Sequence, residues 1–155
     1  MKKQDYTATI LVKATANKAF QCINQVTAWW TENIVGSSEK LNDVFTTHFG
    51  ETFVTMKIVE SVPDKKLVWN VADCYLHWLA DKKEWKGTQI VFEISAEGDS
   101  TRIQFTHIGL EPQVECYDMC VKGWDQYFKG SLAKLINEGT GLPQRKEMAT
   151  AEAVK

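Results

Sequence analysis

Between Val44 and Ile108 apolar residues recur at every second position, and after Gln113 they recur at every third or fourth. The first period belongs to strands with one buried face, the second to an amphipathic helix. Val44 to Phe49 sets Phe45, Thr47 and Phe49 against Val44, Thr46 and His48. Phe53 to Val62 sets Val54, Met56 and Ile58 against Thr55 and Lys57. Leu67 to Asp73 gathers Leu67, Trp69 and Val71 on one face, Thr88 to Ser95 gathers Ile90, Phe92 and Ile94, and Thr101 to Ile108 gathers Ile103, Phe105 and His107. Short turns join most of them: Gly50-Glu51, Pro63 to Lys66, and Glu97 to Ser100. Strands that follow one another so closely, each with one polar face, form an antiparallel meander.

The remainder of the chain completes an α+β pattern. Tyr6 to Lys13 reads as a first strand. Thr15 can cap a helix over Ala16 to Asn24, because its hydroxyl can accept from a free backbone N–H in the first turn. A second short helix is expected over Val26 to Glu32, ended by Gly36-Ser37-Ser38. The predicted long helix runs from Gln113 to Asn137, with Tyr117, Cys120, Val121, Trp124, Phe128, Leu132 and Leu135 on its apolar side. Gly139 suits the position just past its end, and Pro143 prevents continuation. Gly123 and Gly130 are seven apart, hence on one face of an α-helix, where they allow either close backbone approach or room for a ligand. Cys74 to Gly87 breaks the alternation and carries Tyr75, Trp78 and Trp85, so it reads as an extended loop at the end of the sheet. We expect one domain over 1–143: about six antiparallel strands curved around the long helix. The tail from Gln144 to Lys155 is polar and is expected to fray.

Composition narrows the partners. With a net charge of -2 nothing in the composition favours a polyanion, so no nucleic-acid partner is expected. No apolar run approaches the roughly 20 residues that cross a membrane. The lysines at the N-terminus are followed by no apolar segment, so the chain is expected to stay in the cytosol as a monomer or homodimer. Cys22, Cys74, Cys116 and Cys120 are then expected to be free thiols.

Five segments carry a resemblance: Tyr6 to Val12, Trp29-Trp30-Thr31, Trp85-Lys86-Gly87-Thr88, Phe105 to Leu110, and Gly123-Trp124 leading to Gly130-Ser131-Leu132. With the order of elements, they resemble the START-like (SRPBCC, helix-grip) superfamily. The branch they resemble is related to the C-terminal domain of the activator of the ninety-kilodalton heat-shock chaperone's ATPase. The resemblance implies the helix-grip fold and a chaperone as one possible partner. It brings no shared catalytic motif, and fold alone does not give function.

The residues themselves favour a binding site over a catalytic one. Trp124, Tyr127 and Phe128 on the long helix, with Tyr75, Trp78 and Trp85 on the loop, are candidates for the lining and lid of a pocket. Trp69, Phe92 and Phe105 alternate like core residues, for which core packing is the default, and they are counted with His107 among the candidate ligand-binding residues. His107 shares their face; it can orient a ligand or move a proton, but a hydrogen-bonded core histidine is the default. His48 and His77 have weaker claims. Cys116 and Cys120, one helical turn apart, could bind zinc with a histidine, yet the usual C-x-x-C spacing is absent and packed thiols are the better reading. Glu111, Glu115 and Asp118 suit the positive end of the helix dipole. No nucleophilic triad or phosphate-binding loop is present. The expectation is a non-catalytic module with no cofactor and no metal, holding a small apolar or amphipathic ligand. The alternatives are a chaperone-directed interaction domain and, third, a cyclase-like enzyme with His107 as acid or base.

Overall fold

Two long strands, β4 (Thr52–Val62) and β5 (Lys66–Tyr75), form the centre of the sheet, joined by a turn in which Lys65 N–H donates to Val62 C=O at 2.9 Å. Pro63 presets the first turn position and Asp64 adopts φ 65°, as this turn requires of its second central residue. The computed structural model describes residues 5–77, 79–80, 82–111 and 117–144. The other strands are β1 (Tyr6–Val12), β2 (Ile34–Gly36), β3 (Val44–Phe49), β6 (Gln89–Glu97) and β7 (Ser100–Ile108). All seven pair antiparallel in the order β1-β7-β6-β5-β4-β3-β2.

The sheet has seven strands rather than about six. The extra one is β2, three residues at the edge, paired Val35 to Thr46. Register shifts between β4 and β5, at Thr55/Met56 and Ile58/Glu60, bend the sheet at its middle. Its inner face carries Phe45, Val54, Met56, Ile58, Trp69, Val71, Ile90, Phe92, Ile103 and Phe105, all buried.

Helix α1 (Ala16–Asn24) has the predicted bounds and the predicted cap, with Lys18 N–H donating to Thr15 Oγ1 at 3.1 Å. Helix α2 (Val26–Trp29) is one turn long and ends at Trp30, short of the expected Glu32. The C-terminal helix lies against the inner face in three pieces: α3 (Tyr117–Trp124), a π-helical segment (Asp125–Leu132) and α4 (Ala133–Glu138). Its expected start at Gln113 lies outside the described residues, as does the tail beyond Gln144. Gln144 itself is held: its N–H donates to Trp30 C=O at 2.8 Å, and its C=O accepts from Glu32 N–H at 2.9 Å. Gly139 closes α4 in the left-handed region at φ 87°, with its N–H on Leu135 C=O.

The π winding changes which residues share a face. An α-helix advances about 100° per residue, so residues seven apart nearly coincide. Bonding to the fifth residue instead of the fourth advances each residue by less. Gly130 is exposed, whereas Gly123 faces the sheet side, so the two glycines do not share a face as their spacing suggested. Tyr6 Oη donates to Asp125 Oδ1 at 2.5 Å and ties β1 to the start of the π segment.

Candidate functional site

The pairing of β5 with β6 covers Lys66 to Asn70, and the end of β5 beyond it runs on beside β4 alone. The 76–87 loop grows from that free end. Lys82 holds it closed, its Nζ donating to the carbonyls of His77 and Leu79 at 2.9 and 2.7 Å, while Leu76 N–H donates to Lys82 C=O at 2.8 Å. Gly87 N–H returns to Val71 C=O at 2.9 Å. The loop is therefore a hydrogen-bonded unit, and it buries Leu76 and Trp85.

A hydrogen-bond relay fixes the ring that faces Trp85. Trp124 Nε1–H donates to His107 Nδ1 at 3.1 Å. The neutral imidazole then carries its proton on Nε2, which lies 2.9 Å from Thr88 Oγ1, and Thr88 donates onward to Trp85 C=O at 2.7 Å. Gly109 makes this approach possible. It sits at φ 106°, and a Cβ there would lie 2.6 Å from Thr88 Cγ2. His107 is fully buried, and burial pushes its pKa down to about 3 from the usual 6.5. It is a neutral structural group with both nitrogens engaged.

In front of this relay lies a cavity of about 210 Å³. The helix contributes Met119, Cys120, Gly123, Trp124 and Tyr127. The sheet contributes Phe49, Thr52 and Val54. Leu76 and Trp85 come from the loop, and Trp30 from the end of α2. Trp85 and Trp124 stack with centroids 5.8 Å apart and planes 13° apart, and Trp30 leans on Trp124 at 5.1 Å. Gly123 opens the helix wall, since a Cβ built on it meets nothing within 4 Å. Among the described lining residues the only side-chain oxygens are the hydroxyls of Thr52 and Tyr127, and none of those residues is charged. Burial pushes the Tyr127 pKa up, which keeps its hydroxyl protonated.

The sequence-predicted residues divide into four groups. Trp85, Trp124 and Tyr127 line the cavity. Trp69, Phe92, Phe105, Phe128 and His107 are fully buried behind or beside it and do not line it. Tyr75 stacks on Phe53 at 6.2 Å on the outer sheet face. Trp78 and Cys116 lie outside the described residues. Cys22 and Cys74 are free and buried, but Cys120 is disulfide-bonded, which corrects the expectation of four free thiols. That expectation came from the compartment, which does not say whether a thiol has a partner within reach. Among the described residues no three of His, Cys, Asp and Glu converge as metal ligands. Nor is any helix among them long and apolar enough to cross a membrane.

Sequence reasoning missed Trp30, Phe49, Thr52, Val54, Leu76 and Met119 as lining residues. Thr52 and Val54 were readable from the inner-face alternation of β4 carried to its first residue. Trp30 was not, because its position depends on where α2 stops.

The family model of the Activator of Hsp90 ATPase homolog 1-like proteins matches residues 13–137. The chain belongs to that family. As a member of the Activator of Hsp90 ATPase homolog 1-like family it shares the helix-grip fold with solved structures of low sequence identity. One is the Aha1 dimer from Colwellia psychrerythraea, with TM-score 0.73 and 22% identity, covering 89% of this chain and 99% of that one. A second is a protein from Mesorhizobium loti, with TM-score 0.65 and 16% identity, covering 88% of this chain and 100% of that one. A third is a protein of the dynemicin biosynthetic locus, with TM-score 0.64 and 12% identity, covering 94% of this chain and 52% of that one. No curated protein matches the chain significantly.

Proposed function

We propose that this chain is a non-catalytic module that holds a small apolar or amphipathic molecule between the inner sheet face and the C-terminal helix. The observation that carries the reading is the wall chemistry. Aromatic and aliphatic side chains make up most of the wall, and among the described residues no carboxylate, amine or imidazole lines it. Removing apolar area from water against such walls contributes about 25 cal/mol per Å². The same chemistry argues against an enzyme. A cyclase would need an acid or base at the cavity surface, and His107 stands one layer behind with both nitrogens engaged.

Titration with a neutral apolar fluorophore tests the reading, with Gly123→Leu as the blocking variant. The leucine grows into open space, so the fold should keep its melting temperature while probe affinity falls about tenfold or more. Absence of probe binding in the parent protein would remove the reading.

Family membership favours a second reading, in which the chain is an interaction domain that stimulates the ATPase of the ninety-kilodalton chaperone. The chaperone's ATPase rate, measured with and without the protein, decides it, and no stimulation would eliminate it. Gly123→Leu should leave any stimulation unchanged, which separates the two readings. The dimeric state of the Colwellia structure makes a homodimer the assembly to test by sedimentation.

A further inference from the structure

We propose that the cavity's ligand is a neutral, planar aromatic molecule of one or two rings that carries an acceptor oxygen. This rests on the reading of the cavity as a ligand site and names the class of molecule that fits it.

Size sets the first limit. An apolar cavity of about 150 Å³ takes a benzene. A volume of about 210 Å³ therefore admits one ring with a substituent, or two fused rings. Sites for drug-sized ligands run to about 300–1,000 Å³.

Shape and walls set the second. Trp30, Phe49, Trp85, Trp124 and Tyr127 present five aromatic rings to one small space. Aromatic pairs in stacked or edge-on contact gain about 0.5–1.5 kcal/mol beyond their area. A flat ring collects that gain from several walls, and a saturated ring of the same size does not.

Charge sets the third. A carboxylate or ammonium entering this space meets no counter-charge among the described lining residues, and burying an unpaired ion is strongly unfavourable.

Hydrogen bonding sets the fourth. Thr52 Oγ1 already accepts from His77 N–H at 3.0 Å, and its own proton has no acceptor among the described residues. The Tyr127 hydroxyl makes no hydrogen bond among them either, and it stays protonated at neutral pH. Both hydroxyls are therefore available to donate, and the complementary ligand feature is an acceptor such as a carbonyl or ether oxygen.

The experiment uses four probes on the full chain: acetophenone, ethylbenzene, cyclohexyl methyl ketone and benzoate. Binding is read from the indole N–H resonances of Trp30, Trp85 and Trp124. Acetophenone should bind best. Ethylbenzene should be weaker by about fivefold, the value of one net hydrogen bond. Cyclohexyl methyl ketone should also be about fivefold weaker for want of ring contacts. Benzoate should be weaker by about a hundredfold or more, because its charge is buried without a partner. Tyr127→Phe should narrow the acetophenone–ethylbenzene gap and leave ethylbenzene affinity unchanged. Equal affinity for acetophenone and its saturated analogue, or tight benzoate binding, overturns the inference while the ligand site stands. If none of the four binds and the neutral fluorophore also fails, the ligand site itself is refuted.

Discussion

The space between sheet and helix has two ends, and they are built differently from similar residues. At one end Phe92, Phe105 and Phe128 close on one another, with centroids 5.3 Å apart for Phe92–Phe105 and 4.9 Å for Phe105–Phe128, and all three are fully buried. Trp69 completes this packing at 4.9 Å from Phe92. At the other end Trp30, Trp85, Trp124 and Tyr127 surround a cavity of about 210 Å³. Both ends have ample aromatic area. The difference lies in the backbone: the helix presents Phe128 to the sheet at the filled end and Gly123 at the open end, and the 76–87 loop stands over the open end as a separate wall. Aromatic supply alone does not tell a plug from a pocket.

The largest expected effect probes the filled end. Phe105→Ala should cost about 3–5 kcal/mol by denaturant unfolding, the usual loss for a buried phenylalanine. Phe49→Ala, on the partly exposed cavity wall, should cost only about 1 kcal/mol. Equal costs would mean that the open end is packed as tightly as the filled one, and the contrast would disappear.

The boundary between the two ends carries the pH dependence. His107 stays neutral in the folded protein until about pH 3, whereas unfolding restores the usual value of 6.5. As pH falls through 6.5 the unfolded chain takes up a proton that the folded chain refuses, so stability declines from there toward pH 3 and levels off below it. The limiting slope from this one group is about 1.4 kcal/mol per pH unit. His107→Gln should show a shallower decline over the same window than the parent. Parallel curves for the two proteins would show that His107 is not its source.

The smallest effect separates the two glycines. Gly123→Ala and Gly130→Ala should each stabilise the helix by up to about 1 kcal/mol, since neither added Cβ collides with a neighbour. Only Gly123→Ala should also weaken binding of the neutral fluorophore, because only Gly123 lines the cavity. A loss of binding in both variants would mean that the π segment does not separate the faces as described.

These contrasts also mark what the sequence could disclose. The bounds of α1 and β3, the Thr15 cap and the Gly139 stop were legible because each depends on residues within one or two turns. Strand β2 was not, since three residues are too few to display a period and its pairing with β3 is decided by the rest of the sheet. The π segment was not either. An apolar stripe at three-and-four spacing looks the same in sequence whichever carbonyl each N–H chooses, yet that choice moved Gly130 out to solvent. Of the candidate site, Trp85, Trp124 and Tyr127 came from aromatic richness on the loop and helix. Phe92 and Phe105 were legible as core by alternation but not as excluded from the cavity, because that depends on where Phe128 projects. The disulfide at Cys120 was not legible, because the sequence does not show which thiols come within bonding reach.

The central claim, an open apolar space at one end and solid packing at the other, is tested most directly by xenon. Xenon enters dry apolar cavities and needs no specific chemistry. Backbone and indole NMR spectra recorded under increasing xenon pressure should show saturable shifts at Leu76, Gly123 and the Trp30, Trp85 and Trp124 indoles. Phe92, Phe105 and Phe128 should stay still. Shifts centred on the three phenylalanines, or no saturable shift at all, would contradict the account.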